Sequence, residues 1–277
     1  MIGNAIGHGF VVARDFCARG LLRGGVTPNM LSLAGIVIIA GIGVCYALGA
    51  GAARPAWCWT PLTDANIYLL LAAALMFLSA ACDMLDGAVA RIGNLSSRFG
   101  AFLDSTLDRF ADFVVFTGIA VYYAWGTPAT SDTPTTPANI TFILMAALAM
   151  FNGYMIAYTR ARAEDIIPEC TVGYWQRGER IAAILIATFA HNIPALLVQQ
   201  AFLPLLTVLR RVFYTKAVID GKQPITDPRK GGFWPRIQLW KYPRATWAYD
   251  IVTGANILWL IFAPVPTIDP IRQWAGL

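Results

Sequence analysis

The sequence predicts an all-α integral membrane protein with six transmembrane helices. Its 277 residues are 57% hydrophobic and only 13% charged, and that charged fraction is about half of what a soluble domain carries. Apolar runs of about 20 residues recur, whereas the alternation typical of membrane strands is missing. The basic residues gather between these runs, as expected for helices threaded through a bilayer.

The N-terminal segment, residues 2–22, is predicted to form an amphipathic helix in the membrane interface. Its apolar residues recur at helical spacing between charged ones. Two glycines then break the chain. Thr27 is placed to cap the next helix and Pro28 to occupy its first position. The first span is predicted over residues 30–48.

Five further spans follow from the remaining apolar runs. They cover residues 67–82, 101–125, 140–158, 181–190 and 195–208. The second span continues into the sequence DMLDGAVAR, and a short polar turn separates it from the third.

The loops indicate an orientation. Arginine and lysine crowd the N-terminus and the segments 91–98, 160–180 and 210–244, whereas the loops at 50–66 and 127–137 carry few. We therefore expect a multi-pass protein of the cell membrane, with both ends of the six-helix core on the cytoplasmic side. The net charge of +5 suits anionic lipid head groups, and no nucleic-acid partner is expected.

The C-terminal part differs in composition from the core. Residues 220–247 are polar, basic and aromatic, and the apolar run at 251–266 is short for a span. That run is interpreted as an interfacial helix or a tilted seventh span, with the first favoured. The predicted regions are an interfacial helix (1–26), a six-helix domain (27–217) and a basic, aromatic extension (218–277).

Four aspartates stand at or inside apolar runs: Asp83, Asp86, Asp104 and Asp108. The first pair is three residues apart and the second pair four, so each pair shares one face of a helix. A carboxylate at membrane depth costs several kcal/mol unless it is compensated. Divalent cations such as Mg2+ would compensate all four, since they prefer oxygen ligands. The predicted active site is therefore built on these aspartates.

The residues next to the four aspartates reduce the number of functions that could explain these carboxylates. Gly87 and Gly100 allow close approach of a ligand, while Arg91 and Arg98 offer donors for phosphate oxygens. A proton or ion pathway would explain the carboxylates but not these neighbours. An intramembrane prenyltransferase would use two well-separated aspartate-rich segments, whereas these four lie within one stretch of 26 residues.

The same stretch reads DxxDGxxAR, then eight residues, then GxxxDxxxD, from position 83 to position 108. This resembles the signature of the CDP-alcohol phosphotransferase family at every fixed position. The segment TPNMLS at 27–32 is similar to that family's entry to the first span. Residues 158–164 and 173–180 resemble those of bacterial phosphatidylinositol-phosphate synthases. The resemblance covers roughly residues 18–217.

The resemblance implies two Mg2+ ions, or Mn2+ in their place. Asp83, Asp86 and Asp104 would hold one ion, and Asp83, Asp104 and Asp108 the other. Asp108 would also be the general base that takes the proton of the acceptor hydroxyl. Asp112 lies outside the signature and is expected to pair with Arg109 or another neighbour.

The resemblance also assigns the contacts of the CDP-lipid. Its binding residues would be Asn29, Met30, Leu31, Ser32, Gly87, Arg91, Ser97 and Gly100. Gly87 has an alternative role as a helix-packing glycine.

Four arginines would bind the phosphate of the acceptor. They are Arg160, Arg162, Arg177 and Arg180. The alternative is that they contact lipid as positive-inside residues. Gln176 and Gly178 replace the Glu and Pro expected in the inositol-phosphate enzymes.

The resemblance implies an enzyme that transfers a phosphatidyl group from CDP-diacylglycerol to a small polar acceptor and releases CMP. Inositol phosphate is the leading acceptor and glycerol 3-phosphate the next. The active site would face the cytoplasm, and a homodimer is expected. A membrane ion or proton pathway is the alternative that is not an enzyme.

Overall fold

The computed structural model describes residues 2–50, 66–125, 138–222, 238, 242, 244 and 246–276, with the backbone alone for 2–10. These residues form helices joined by turns, with no strand among them. The predicted all-α class is therefore confirmed. Residues 51–65 and 127–137 of the predicted outer loops, and most of the basic segment at 220–247, lie outside the described residues.

Helices account for most of the described chain. In order they are α1 (Ile2–Arg23), α2 (Pro28–Gly49), α3 (Ile67–Ile92), α4 (Arg98–Trp125), α5 (Ile140–Glu164), α6 (Arg177–Phe189), α7 (Ile193–Ile219), α8 (Trp247–Phe262) and α9 (Pro270–Ala275).

Four of these helices, α2, α3, α5 and α7, are long and apolar enough to cross a membrane. The apolar helix α8 has only 16 residues. The chain is thus a multi-pass membrane protein. Helix α4 is long enough at 28 residues but carries Asp104, Asp108 and Asp112, and α6 has only 13 residues. Length and composition therefore leave two of the six predicted spans unassigned.

The helix starts agree with the sequence prediction better than the helix ends. Thr27 caps α2 by accepting a hydrogen bond from the Met30 amide at 3.4 Å, and Pro28 is the first helical residue. Helices α5 and α7 instead run to Glu164 and Ile219, several residues beyond the apolar runs that predicted them. Hydrophobicity marks only the part of a helix that meets lipid or core, so it misses polar helical ends.

The helices that carry the aspartates are packed unusually closely on α2. Helix α2 contacts both α3 and α4, and α5 contacts α4 and α7. At the crossing of α2 and α4, Gly118 lies against the backbone of Gly43, and a Cβ at Gly118 would clash with the Gly43 carbonyl oxygen. Only glycine fits at this crossing, so it fixes the distance between the two helices.

Helix α7 contains Pro204 in its interior, and α5 compensates for the backbone hydrogen bond that the proline removes. Proline has no N–H for the carbonyl four residues before it, that of Gln200. The Asn152 side chain of α5 donates to the Gln200 carbonyl at 3.3 Å and to the Ala201 carbonyl at 2.7 Å. Since Asn152 is fully buried, these bonds satisfy polar groups that water does not reach.

The C-terminal helices pack on this core. Leu260 of α8 is 1% exposed, and the Trp259 indole donates to the Ala195 carbonyl of α7 at 3.0 Å. Asp269, which caps α9, accepts hydrogen bonds from the Ile140 amide and the Thr141 hydroxyl at the start of α5, both at 2.6 Å. The interfacial position expected for the run at 251–266 stays a prediction.

Candidate active site

Three of the four signature aspartates meet where α3 approaches α4. Asp83 lies on α3, and Asp104 and Asp108 lie one turn apart on α4. One carboxylate oxygen from each lies within 4.8 Å of the other two. Residues spaced by three or four positions share a helix face, which explains why the two segments can present these groups together. An all-oxygen group of this size suits a hard divalent cation.

Asp86 adjoins this group without being part of it. Its Oδ2 accepts a hydrogen bond from the Ser32 hydroxyl of α2 at 2.7 Å. A small cavity is lined by Ser32, Asp86 and the three clustered aspartates. The site therefore joins the first turn of α2 to the polar ends of α3 and α4.

Arg177, the first residue of α6, reaches into the aspartate cluster. Its guanidinium forms ion pairs with Asp108 and, at 3.4 Å, with Asp83. Arg109 adds a longer contact to Asp108 at 3.8 Å. Two guanidinium groups thus face four carboxylates, and the site keeps an excess of negative charge that attracts cations.

A second, open cavity of about 230 Å3 continues from the aspartates towards the turn between α3 and α4. Six of the eight residues predicted to contact the CDP-lipid line it: Asn29, Ser32, Gly87, Arg91, Ser97 and Gly100. Leu31 lines the neighbouring aspartate cavity instead. Met30 is 55% exposed and lines neither of these cavities.

The surroundings of Gly87 argue against the alternative of a helix-packing glycine. Among the described residues, a Cβ at this position would meet only the guanidinium of Arg91, at 3.4 Å, and no neighbouring helix. Gly87 therefore leaves space inside the cavity, beneath the Arg91 side chain. A guanidinium above an open floor suits the oxygens of a phosphate group.

The four arginines predicted to bind the acceptor phosphate have different surroundings. Arg160 pairs with Glu164 at 2.9 Å and Arg162 with Asp165 at 2.8 Å, and both pairs are exposed at the end of α5. Arg180 is 4% exposed and forms a buried ion pair with Asp112. Only Arg177 among the four contacts the signature aspartates in the described structure. Asp112 does pair with a neighbour, but that neighbour is Arg180.

Sequence reasoning missed two buried roles of arginine. Arg211, which belongs to the basic segment 210–244 used to predict the orientation, is 2% exposed. It donates to the Val172 carbonyl at 3.1 Å and to the Ile156 carbonyl of α5. The second missed role of a buried arginine is that of Arg180, which pairs with Asp112. The one available signal was that Asp112 continues the aspartate face of α4 without belonging to the signature.

Comparison with known proteins agrees with this geometry. The family model described as CDP-alcohol phosphatidyltransferase matches residues 25–218. An archaetidylinositol phosphate synthase of Methanothermobacter thermautotrophicus is 37% identical over 152 residues, which are 53% of this chain and 70% of that protein. A phosphatidylinositol phosphate synthase of Cutibacterium acnes is 33% identical over 173 residues, 61% of this chain and 69% of that protein.

Solved structures of phosphatidylinositol phosphate synthases also resemble this chain. The crystal structure of a Mycobacterium tuberculosis phosphatidylinositol phosphate synthase with CDP-DAG bound has a TM-score of 0.57 at 26% identity, covering 73% of this chain and 92% of that one. The same enzyme in complex with manganese and citrate has a TM-score of 0.58 at 26% identity, covering 73% and 88%. Since the family model spans well over half of its length, the chain belongs to the CDP-alcohol phosphatidyltransferase family.

Proposed function

We propose that this enzyme transfers a phosphatidyl group from CDP-diacylglycerol to a hydroxyl of inositol phosphate, releasing CMP, in phospholipid biosynthesis. The observation that carries the proposal is the continuity of two cavities. One is lined by the signature aspartates and the other by Gly87 and Arg91. A diphosphate extending from the second cavity would bring its phosphorus atoms beside the aspartates. The relatives named as phosphatidylinositol or archaetidylinositol phosphate synthases support the choice of acceptor.

The proposed metal sites are assigned from the carboxylate oxygens of the four signature aspartates. Asp83, Asp104 and Asp108 would hold one Mg2+ ion, and Asp83, Asp104 and Asp86 a second, with Mn2+ able to replace them. The oxygen-only ligands fit such ions, and a related structure contains manganese. When bound, the ions screen the diphosphate and polarise the attacked phosphorus.

Asp108 is proposed as the general base. The acceptor hydroxyl oxygen forms a new bond to the phosphorus that bears the diacylglycerol, and the bond from that phosphorus to CMP breaks. The hydroxyl proton passes to a carboxylate oxygen of Asp108. Arg177 and Arg109 flank Asp108, so they orient its carboxylate towards the cavity.

Arg177 is proposed as the acceptor-phosphate residue, because it alone of the four predicted arginines contacts the aspartates in the described part of the chain. Arg160 and Arg162 remain candidates as exposed donors. Arg180 would act indirectly, by fixing the first turn of α6 through Asp112. Glycerol 3-phosphate, which also carries a phosphate and free hydroxyls, is the second candidate acceptor.

The membrane arrangement is proposed as follows. Helices α2 to α7 form the six spans of a catalytic domain at 27–217, preceded by an interfacial helix at 1–26 and followed by an extension at 218–277. The aspartate site faces the cytoplasm of a cell-membrane protein that functions as a homodimer. The positive loops around the site support this orientation.

Acceptor identity is tested by measuring CMP release from CDP-diacylglycerol and Mg2+. The purified enzyme would be offered inositol 3-phosphate, glycerol 3-phosphate, inositol, serine and choline in parallel. Turnover with inositol 3-phosphate alone is the expected result. Turnover with glycerol 3-phosphate alone would move the enzyme to the second candidate function, and turnover with uncharged inositol would remove the acceptor role of the arginines.

The role of Asp108 is tested with Asp108→Asn. The amide keeps the shape of the side chain but neither accepts the proton nor supplies a full charge to a metal, so CMP release should fall by at least about a hundredfold. The thermal unfolding temperature in detergent should stay close to that of the parent. A folded variant that releases CMP as fast as the parent would contradict the catalytic role, and loss of fold and turnover together would favour a structural role instead.

A further inference from the structure

Helix α6 lines two different cavities with two different faces. Arg177, Ile181 and Ile184 line the space that contains Asp83 and Asp108. The other face lines a separate cavity of about 380 Å3, through Gly178, Glu179, Ala182, Ala183 and Ile186. Because residues 177 and 179 are two positions apart, their side chains point about 200° apart around the helix. The second cavity is therefore distinct from the aspartate site.

The opposite wall of this second cavity is α8, which lies beyond the last residue matched by the family model. Its contribution comes from Tyr249, Thr253, Asn256, Ile257 and Leu260. The Tyr249 hydroxyl contacts Glu179 at the beginning of both helices, whereas Ile186 and Leu260 line the cavity towards their ends. We call this space the α6–α8 groove. It has a polar end at Glu179, and seven residues further along, or about 10 Å of helix, its lining is mostly apolar, with Asn256 as a polar exception.

The polar end contains an unsatisfied carboxylate oxygen. Glu179 Oε1 accepts hydrogen bonds from Arg244 at 2.9 Å and from the Tyr249 hydroxyl at 2.7 Å. Glu179 Oε2 is buried and has no hydrogen-bond partner among the described residues, and the side chain as a whole is only 9% exposed. A buried charged oxygen without a donor is costly. The described residues therefore offer no donor to Oε2. Since Oε2 itself is closed off from the groove, a ligand would reach it by a turn of the carboxylate towards the cavity that Glu179 lines.

We propose that the α6–α8 groove binds one membrane lipid whose head group donates hydrogen bonds, from hydroxyl or ammonium groups, to Glu179. The acyl chain lies along Ala182, Ile186 and Ile257. Arg244 already pairs with the Glu179 charge, so the recognition rests on donors rather than on net charge. A quaternary ammonium head group carries no donor and is disfavoured. The site rests on the C-terminal extension and does not depend on which acceptor the enzyme uses.

The test is lipid retention by the full chain, measured by native mass spectrometry. The detergent-purified protein is titrated with phosphatidylethanolamine, phosphatidylglycerol or phosphatidylcholine of identical acyl chains. The chain should retain one copy of phosphatidylethanolamine or of phosphatidylglycerol, and it should hold either lipid about tenfold more tightly than phosphatidylcholine. A tenfold difference in affinity is equivalent to about one charge-assisted hydrogen bond. Preference for only one of the first two would identify the donor as ammonium or hydroxyl.

Two variants locate the retained lipid. Ala182 is an exposed residue of the groove, so Ala182→Trp should fill it and remove the retained copy. The matched control is Ala147→Trp, at an exposed position of α5 away from the groove, which should retain it. Glu179→Gln should bring phosphatidylethanolamine and phosphatidylcholine to within about twofold of each other. Equal retention of all three lipids by the parent, or an unchanged copy number in Ala182→Trp, would overturn the proposal.

Discussion

At the scale of single residues, Arg177 is the most informative side chain. It pairs with Asp83 of α3 and with Asp108 of α4, and both of these aspartates are ligands in the proposed metal sites. A guanidinium and a metal ion compete for the same carboxylate oxygens. In the proposed metal-bound state Arg177 would therefore leave at least one aspartate, and its donors would become available to an anion.

This competition predicts that Arg177→Ala binds metal more tightly than the parent while turning over more slowly. In the absence of substrates, Mn2+ affinity should rise by about tenfold, the equivalent of about 1.4 kcal/mol, because a positive charge beside the carboxylates is removed. Titration followed by electron paramagnetic resonance measures the affinity.

The control for that titration is Lys216→Ala, which removes the same charge from an exposed position on α7. It should leave Mn2+ affinity unchanged. Weaker Mn2+ binding by the Arg177 variant would show that the arginine supports the metal ligands instead of competing for them.

At the scale of helices, the site depends on the close crossing of α2 and α4. Helix α2 supplies Ser32, and α4 supplies Asp104 and Asp108. The contact between Gly43 and Gly118 fixes the distance between these two helices. A larger residue there would move one wall of the active site relative to the other.

We therefore expect Gly118→Ala to lower the free energy of unfolding by about 1–3 kcal/mol, the usual cost of overpacking. The comparison is Gly254→Ala on α8, where an added Cβ meets no described residue within 4 Å. That change should stabilise the helix by up to about 1 kcal/mol. Thermal unfolding in detergent ranks the three proteins, and equal unfolding temperatures for both variants would contradict close packing at residue 118.

At the scale of the whole molecule, the end of the chain is tied back to the core. Asp269 joins the cap of α9 to the start of α5, and the Asn139 side chain donates to the Thr267 carbonyl at 3.1 Å. Burial raises the pKa of Asp269, but hydrogen bonds from Thr141 and from the amides of Arg272, Ile140 and Thr141 outweigh it. The pKa therefore lies below the ordinary value of 3.8.

A lowered pKa in the folded state means that the contribution of Asp269 is present above the ordinary pKa and is lost as the pH falls through the lowered one. Amide exchange at Ile140 should be slower in the parent than in Asp269→Asn, by a ratio that is constant from about pH 7 to 5 and shrinks below about pH 4. A ratio that does not change with pH would mean that the carboxylate charge contributes nothing to this contact.

The sequence predicted the helical class, the cap at Thr27 and a cluster of four aspartates, three of which meet in the structure, because each depends on spacing along one or two helices. It missed what depends on contacts between distant segments. The pairing of Arg180 with Asp112 and the burial of Arg211 could not be read from residue type, since arginine between apolar runs usually faces lipid head groups. The packing of α8 against α6 was also missed, because these two helices are distant from each other in the sequence.

The buried pair of Arg180 and Asp112 has a consequence for how the protein is made. It joins α4 and α6, which are the helices of the proposed six spans that length and composition alone do not qualify for a membrane. Each would bring an unpaired charge into the hydrocarbon if it left the translocon alone. When both helices are present, Arg180 and Asp112 form a neutral pair. We therefore expect α4 to be held at the insertion machinery until α6 has been synthesised.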